Sequence, residues 1–155
     1  MTTRTAQWFE CKTKYEKVME DGLQKSVTEQ YVVDAMSFAE AEARVIKEMS
    51  AYVSGEFEVT DVKKASYKEI IFADDDASAD RWYKVKLDFI TIDEKTEKEK
   101  RSRVCYLVQA ATLNGAMKAT DEMMGTTMID YDAAAIQNTK IIDVFACVNN
   151  GSEDE

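Results

Sequence analysis

The sequence contains no histidine and no proline, and only five glycines and three cysteines in 155 residues. Without histidine the commonest general base and the commonest metal ligand are missing. No Ser–His or Cys–His couple can form. Nucleophile elbows, phosphate loops and dinucleotide fingerprints need glycines at fixed spacing, and none of those patterns is present. Cys11, Cys105 and Cys147 are odd in number and lack CxxC spacing, so they suggest neither a disulfide framework nor a zinc site. They read as small apolar side chains or inert thiols. No run approaches the roughly 18–20 apolar residues of a membrane-spanning helix, and Met1–Gln7 has no apolar stretch of a signal peptide. The expectations are therefore no cofactor, no metal, no membrane and a cytoplasmic setting. Zero proline agrees with a sheet whose strands are all paired.

Thirty acidic residues stand against 20 basic ones, a formal net charge of −10. With 45% hydrophobic residues the chain is expected to fold as a single domain over residues 1–155 rather than stay disordered. The charge argues against a general binder of the duplex backbone. It still permits a local basic patch, or a partner protein that is itself basic. The segment 149–155 is polar and acidic and reads as a disordered tail.

The chain reads as one unit written twice, over residues 8–72 and 82–147. Trp8-Phe9-Glu10-Cys11-Lys12 aligns with Trp82-Tyr83-Lys84-Val85-Lys86, and Tyr31-Val32-Val33 with Tyr106-Leu107-Val108. Ala41 falls opposite Ala116, Met49 opposite Met124, and Ile70-Ile71-Phe72 opposite Asp143-Val144-Phe145. Each half reads as strand, strand, helix, strand. Apolar residues alternate with charged ones from Phe9 to Tyr15 and from Tyr83 to Phe89, the period of a strand with one wet face. Asp21-Gly22 suits a hairpin turn, whereas residues 93–98 form a longer charged connection. Ser37 with Glu40 and Thr112 with the residues after it mark two helix starts. Phe38, Ala41, Val45 and Met49, and Leu113, Ala116, Met117, Thr120 and Met124, form apolar stripes. Gly55 and Gly125 are placed for left-handed stops, and Ala133-Ala134-Ala135 suggests a helical turn interrupting the last strands. Residues 73–81 read as an acidic linker; Asp74-Asp75-Asp76 lacks the alternating ligands and turn glycine of a calcium loop. The expected fold is α+β: two ββαβ repeats forming an antiparallel sheet with two helices packed on one face.

Strand parity places Trp8, Lys12 and Lys14 on the outer face of one copy. Trp82, Lys84 and Lys86 take the same face of the other, with Arg101 and Arg103 on its neighbouring strand. An indole beside ammonium groups can hold a base by stacking and its phosphate by charge. The candidate ligand residues are therefore Trp8, Lys12, Lys14, Trp82, Lys84, Lys86 and Arg103. The competing reading is that both tryptophans cover the edge of the core while edge lysines deter aggregation. The same patches also suit a homodimer interface.

Several segments resemble an uncharacterised family of short acidic proteins encoded by gut bacteria and their phages and prophages. They are Trp8–Lys12, Val27–Ala35, Ser37-Phe38, Glu40–Arg44, Gly55–Thr60 and Trp82–Lys84. No catalytic residues carry over from it. The resemblance implies a phage-related accessory protein in the cytoplasm of a bacterial host. The reading adopted is a non-enzymatic binder of a nucleotide or single-stranded nucleic acid on the Trp/Lys face. The alternative is an acidic inhibitor of a host defence or nucleic-acid-processing enzyme.

Overall fold

The computed structural model describes residues 2–146; Cys147 and the acidic segment 149–155 lie outside them. Eleven elements follow one another. They are β1 (Thr2–Arg4), β2 (Trp8–Val18), β3 (Gln24–Asp34), α1 (Phe38–Ser50), β4 (Phe57–Ala65), β5 (Tyr67–Phe72), β6 (Arg81–Ile92), β7 (Glu99–Ala110), α2 (Leu113–Met124), β8 (Asp130–Asn138) and β9 (Ile141–Phe145). The α+β class and the ββαβ order of each half are as expected. The strands do not make one antiparallel sheet. They divide between two mixed sheets, β1-β5-β7-β6-β8 and β4-β2-β3-β9. Each belongs to its own compact unit, one of residues 66–140 with 2–5, the other of residues 6–65 with those from 141 onward.

The units do not coincide with the repeats, because the halves exchange their last strands. β5, from the first half, lies parallel to β7 of the second. β9, from the second half, lies parallel to β3 of the first. Chain length dictates this. The free edge of β3 is three strand spacings from β4, about 14 Å. Only Ser66 separates β4 from β5, and one residue spans at most about 3.6 Å. β5 cannot return to its own sheet. The two residues between β8 and β9 impose the same on the second half.

Register shows the likeness of the two halves more sharply than identity does. In both halves the first strand slips by one residue against its antiparallel edge partner at the same place, between Lys12 and Thr13 and between Lys86 and Leu87. Thr60 and Ala134 are the residues skipped. Ala133–Ala135 is therefore bulged strand, not a helical turn. The exchanged strands bulge alike, at Lys68 and at Ile142. Val33 pairs with Phe145 as Val108 pairs with Ile71. Ile71, not Phe72, is thus the counterpart of Phe145.

In the 6–65 unit, α1 lays Ala41, Val45 and Met49 on Phe9, Cys11, Tyr31, Val33 and Phe145. In the 66–140 unit, Ala116 and Met124 of α2 meet Ile71, Tyr83, Val85, Leu87, Tyr106 and Val108. Ser37 Oγ accepts from Glu40 N–H at 3.1 Å and Thr112 Oγ1 from Gly115 N–H at 3.0 Å, the expected caps. Phe38 and Leu113 stay largely exposed at the helix starts. The left-handed stops are absent: α1 ends on Ala51 and α2 on Gly125, both right-handed. Among glycines positive φ occurs at Gly22, in the β2–β3 turn as expected. In the glycine-free 93–98 connection, Glu97 takes it, at 58°. No helix among the described residues is long and apolar enough to cross a membrane.

Candidate functional site

The tryptophans are not on a wet surface. Trp8 is 1% exposed and Trp82 2%. Trp82 meets Phe72 edge to face at 5.6 Å, and Trp8 Nε1 is buried without a hydrogen-bond acceptor. Neither indole can serve as a stacking platform, which corrects the expectation of an exposed Trp/Lys face. Parity was right about which side the indoles occupy; that side is simply buried near them. Val32, Val144, Ile70 and Leu107, on the faces away from the helices, are buried as well. The unbroken apolar runs Tyr31-Val32-Val33, Ile70-Ile71 and Tyr106-Leu107-Val108 carry that signal, since strands buried on both faces lose their alternation.

The cations divide between the units. Lys12 is half-buried and paired in register with Asp61, and Lys14 is exposed opposite Glu58. Both sit among acids in the 6–65 unit. Lys84, Lys86 and Arg103 belong to the 66–140 unit. Lys84 Nζ lies 5.8 Å from the centroid of the Tyr67 ring, within cation–π range. Lys86 and Arg103 line a groove of about 540 Å³ with Ser66, Tyr67, Lys68 and Cys105. Lys68 was not foreseen. It is the bulged residue of β5, and a bulge re-aims a side chain that regular pairing would place otherwise.

Arg103 is held by Asp88, its cross-strand partner: Nε donates to Oδ1 at 2.7 Å. The Arg103 hydrogen bond holds the Asp88 carboxyl below its ordinary range, against the opposing effect of burial and with help from the charges of Arg103 and Arg101. Arg101 reaches Asp88 at 3.9 Å and hydrogen-bonds to Glu99 at 3.1 Å and Asp132 at 2.9 Å. It does not line the groove. Gln109 fastens the 73–81 connector, accepting from Ala73 N–H and donating to the Ala79 carbonyl, each at 3.0 Å. Asp76 accepts from both the backbone N–H and the hydroxyl of Ser78, as a turn does. Among the described residues no group of three or more cysteines and carboxylates is placed to hold a metal ion.

Charge follows the same division. Residues 2–5 with 66–140 contain 12 basic and 14 acidic residues, net −2; residues 6–65 with 141–155 contain 8 and 16, net −8. The groove thus lies in the nearly neutral part of an acidic chain. Burial pushes the thiol of Cys11 up to about 11, with Asp61, Glu42 and Glu10 adding to it. That thiol is an inert core residue.

No curated protein and no solved structure matches the chain. A family model does, over residues 7–147, from ahead of the first tryptophan to the end of the last strand. The chain belongs to the family described as a domain of unknown function, DUF4494.

Proposed function

We propose that the protein is a non-enzymatic binder of a phosphate-bearing ligand, a nucleotide or a single-stranded nucleic acid, held in the groove of the 66–140 unit. The supporting observation is the convergence of Lys68, Lys86 and Arg103 on one groove in a chain of net charge −10. Ammonium and guanidinium groups neutralise phosphate oxygens. Tyr67 is buried under Lys84, so recognition rests on charge rather than on stacking, and the groove reads phosphates more than bases. The setting is the one the resemblance implies, an accessory protein of a phage or prophage in a bacterial cytoplasm.

Titration calorimetry with pyrophosphate, ATP and a short oligothymidylate at low salt tests this. Binding that weakens with salt, with a log–log slope of about −0.7 per phosphate engaged for the oligothymidylate, and that is lost in Lys68→Glu/Lys86→Glu, is the expected result. Absence of binding to all three overturns the reading. A second reading, capture of a basic host protein, is favoured by the net charge of −8 on the other unit. It expects a partner released at high salt.

A further inference from the structure

The 6–65 unit carries a second site of opposite character. Between the outer ends of β2, β3 and β9 and the turn that follows α1 lies a pocket of about 300 Å³. Its walls are aromatic and apolar: Tyr31 stacks on Phe145 at 5.1 Å with 14° between the rings, and Met49, Val53 and Ile142 close the sides. Among the described residues its charged groups are two carboxylates, Glu29 of β3 and Asp143 of β9, and neither lysine nor arginine lines it. The hydroxyl of Tyr31 donates to Glu29 Oε1 at 3.0 Å, and the Tyr15 phenol lines the pocket beside the same carboxylate. Burial and Glu29 raise both phenols, so they stay protonated donors. A carboxylate offers about four acceptor sites, and two phenols leave some of them for a further donor. Although Asp143 is exposed as a residue, its carboxyl turns back to accept from Val144 N–H at 2.8 Å.

The second copy of the repeat shows that these groups are not required by the fold. At the position of Glu29 it has Val104, at Tyr15 it has Phe89, and at Ile142 it has Lys68. Tyr31 and Asp143 correspond to Tyr106 and Glu69 in the matching register. The second copy thus keeps a tyrosine at Tyr106 and an acid at Glu69, but has Ile71 for the stacked ring of Phe145, Val104 for Glu29 and the cation Lys68 for the apolar wall at Ile142. The other presents phenol-braced acids over aromatic walls.

We infer that the pocket formed by Tyr15, Glu29, Tyr31, Phe145 and Asp143 binds an alkylammonium or alkylguanidinium cation, its apolar stem along the aromatic walls and its charged head on the two carboxylates. A cation with a short apolar stem satisfies both surfaces at once. An anion meets two like charges there, and a neutral apolar molecule leaves the carboxylates without a partner. The site stands apart from the groove of the other unit, and its failure leaves that reading untouched.

The test is titration of the full chain with cadaverine and with agmatine as free amines. N-acetyl-lysine methylamide serves as the form a protein side chain would present, and N,N'-diacetylcadaverine, which keeps the stem and has no ammonium, as the control. Saturable binding of a cationic probe is expected, at least tenfold weaker in Glu29→Val and in Asp143→Asn. Glu29→Val copies the other repeat, so it keeps the fold, which circular dichroism checks. Preference for the free amines or for the blocked lysine identifies the source of the cation. No saturable binding of any cationic probe at millimolar concentration overturns the inference, as does binding that both variants leave unchanged.

Discussion

Phe145→Ala probes the strand exchange where it is easiest to read. Phe145 is 9% exposed, stacks on Tyr31 at 5.1 Å and packs in the core of the 6–65 unit, although it belongs to the second repeat by sequence. Truncating a buried phenylalanine costs about 3–5 kcal/mol, of which the ring pair supplies roughly 0.5–1.5 kcal/mol. With a urea m-value of about 2 kcal/mol/M, the midpoint falls by roughly 1.5–2.5 M. Native-state hydrogen exchange gives the more discriminating readout. β9 pairs with β3, and amides alternate along a strand, so Val32, whose N–H faces β9 while those of Tyr31 and Val33 face β2, should lose protection first. Had each repeat kept its own last strand, the loss would fall on Leu107. Ile71→Ala is the mirror experiment, at about 2–5 kcal/mol, and should expose the β7 amides. Phe145→Leu supplies a milder version if the alanine variant unfolds. A cost below about 1 kcal/mol, or exchange reported from β7 after the Phe145 change, would refute the exchanged topology.

Cys11, with its thiol raised to about 11, should resist a maleimide at pH 8 in the native protein and react at the ordinary rate in denaturant; native labelling at the denatured rate contradicts its burial. Thr13 is fully buried with an unpartnered hydroxyl where the other repeat has Leu87. Thr13→Val should raise stability by about 1 kcal/mol, measured by urea unfolding. Asp143 is raised by burial, opposed by the Val144 N–H and aided by Glu48. Its folded form therefore prefers the proton, and stability present below the ordinary value of 3.8 is lost as pH rises through the folded value. Asp143→Asn should unfold at a higher temperature than the parent at pH 7, with the difference closing near pH 3; a lower melting temperature at pH 7 reverses the sign and the argument.

Repetition was legible because buried positions retain their kind: Phe9 and Tyr83, Tyr31 and Tyr106, Val45 and Thr120 occupy matching places in two cores. The exchange was written in the single residue between Ala65 and Tyr67, a connector too short for a return, but hydropathy patterns do not report distances. Trp8 and Trp82 misled because parity assigns a side to a residue without saying whether that side is wet. The continuous runs through Val32 and Leu107 did say so. Lys84, Lys86 and Arg103 were placed together by the same parity that grouped them with the tryptophans, since β6 and β7 pair without interruption over their whole length. Lys68 escaped because its position depends on a bulge, and one extra residue in a ladder leaves no mark in composition.

Amide chemical-shift mapping with pyrophosphate, at low salt and on the full chain, puts the proposed groove to its most direct test. Saturable shifts should cluster on Ser66, Tyr67, Lys68, Lys86, Arg103 and Cys105. Shifts centred on Lys12 and Lys14 instead, or none at millimolar pyrophosphate, would contradict it.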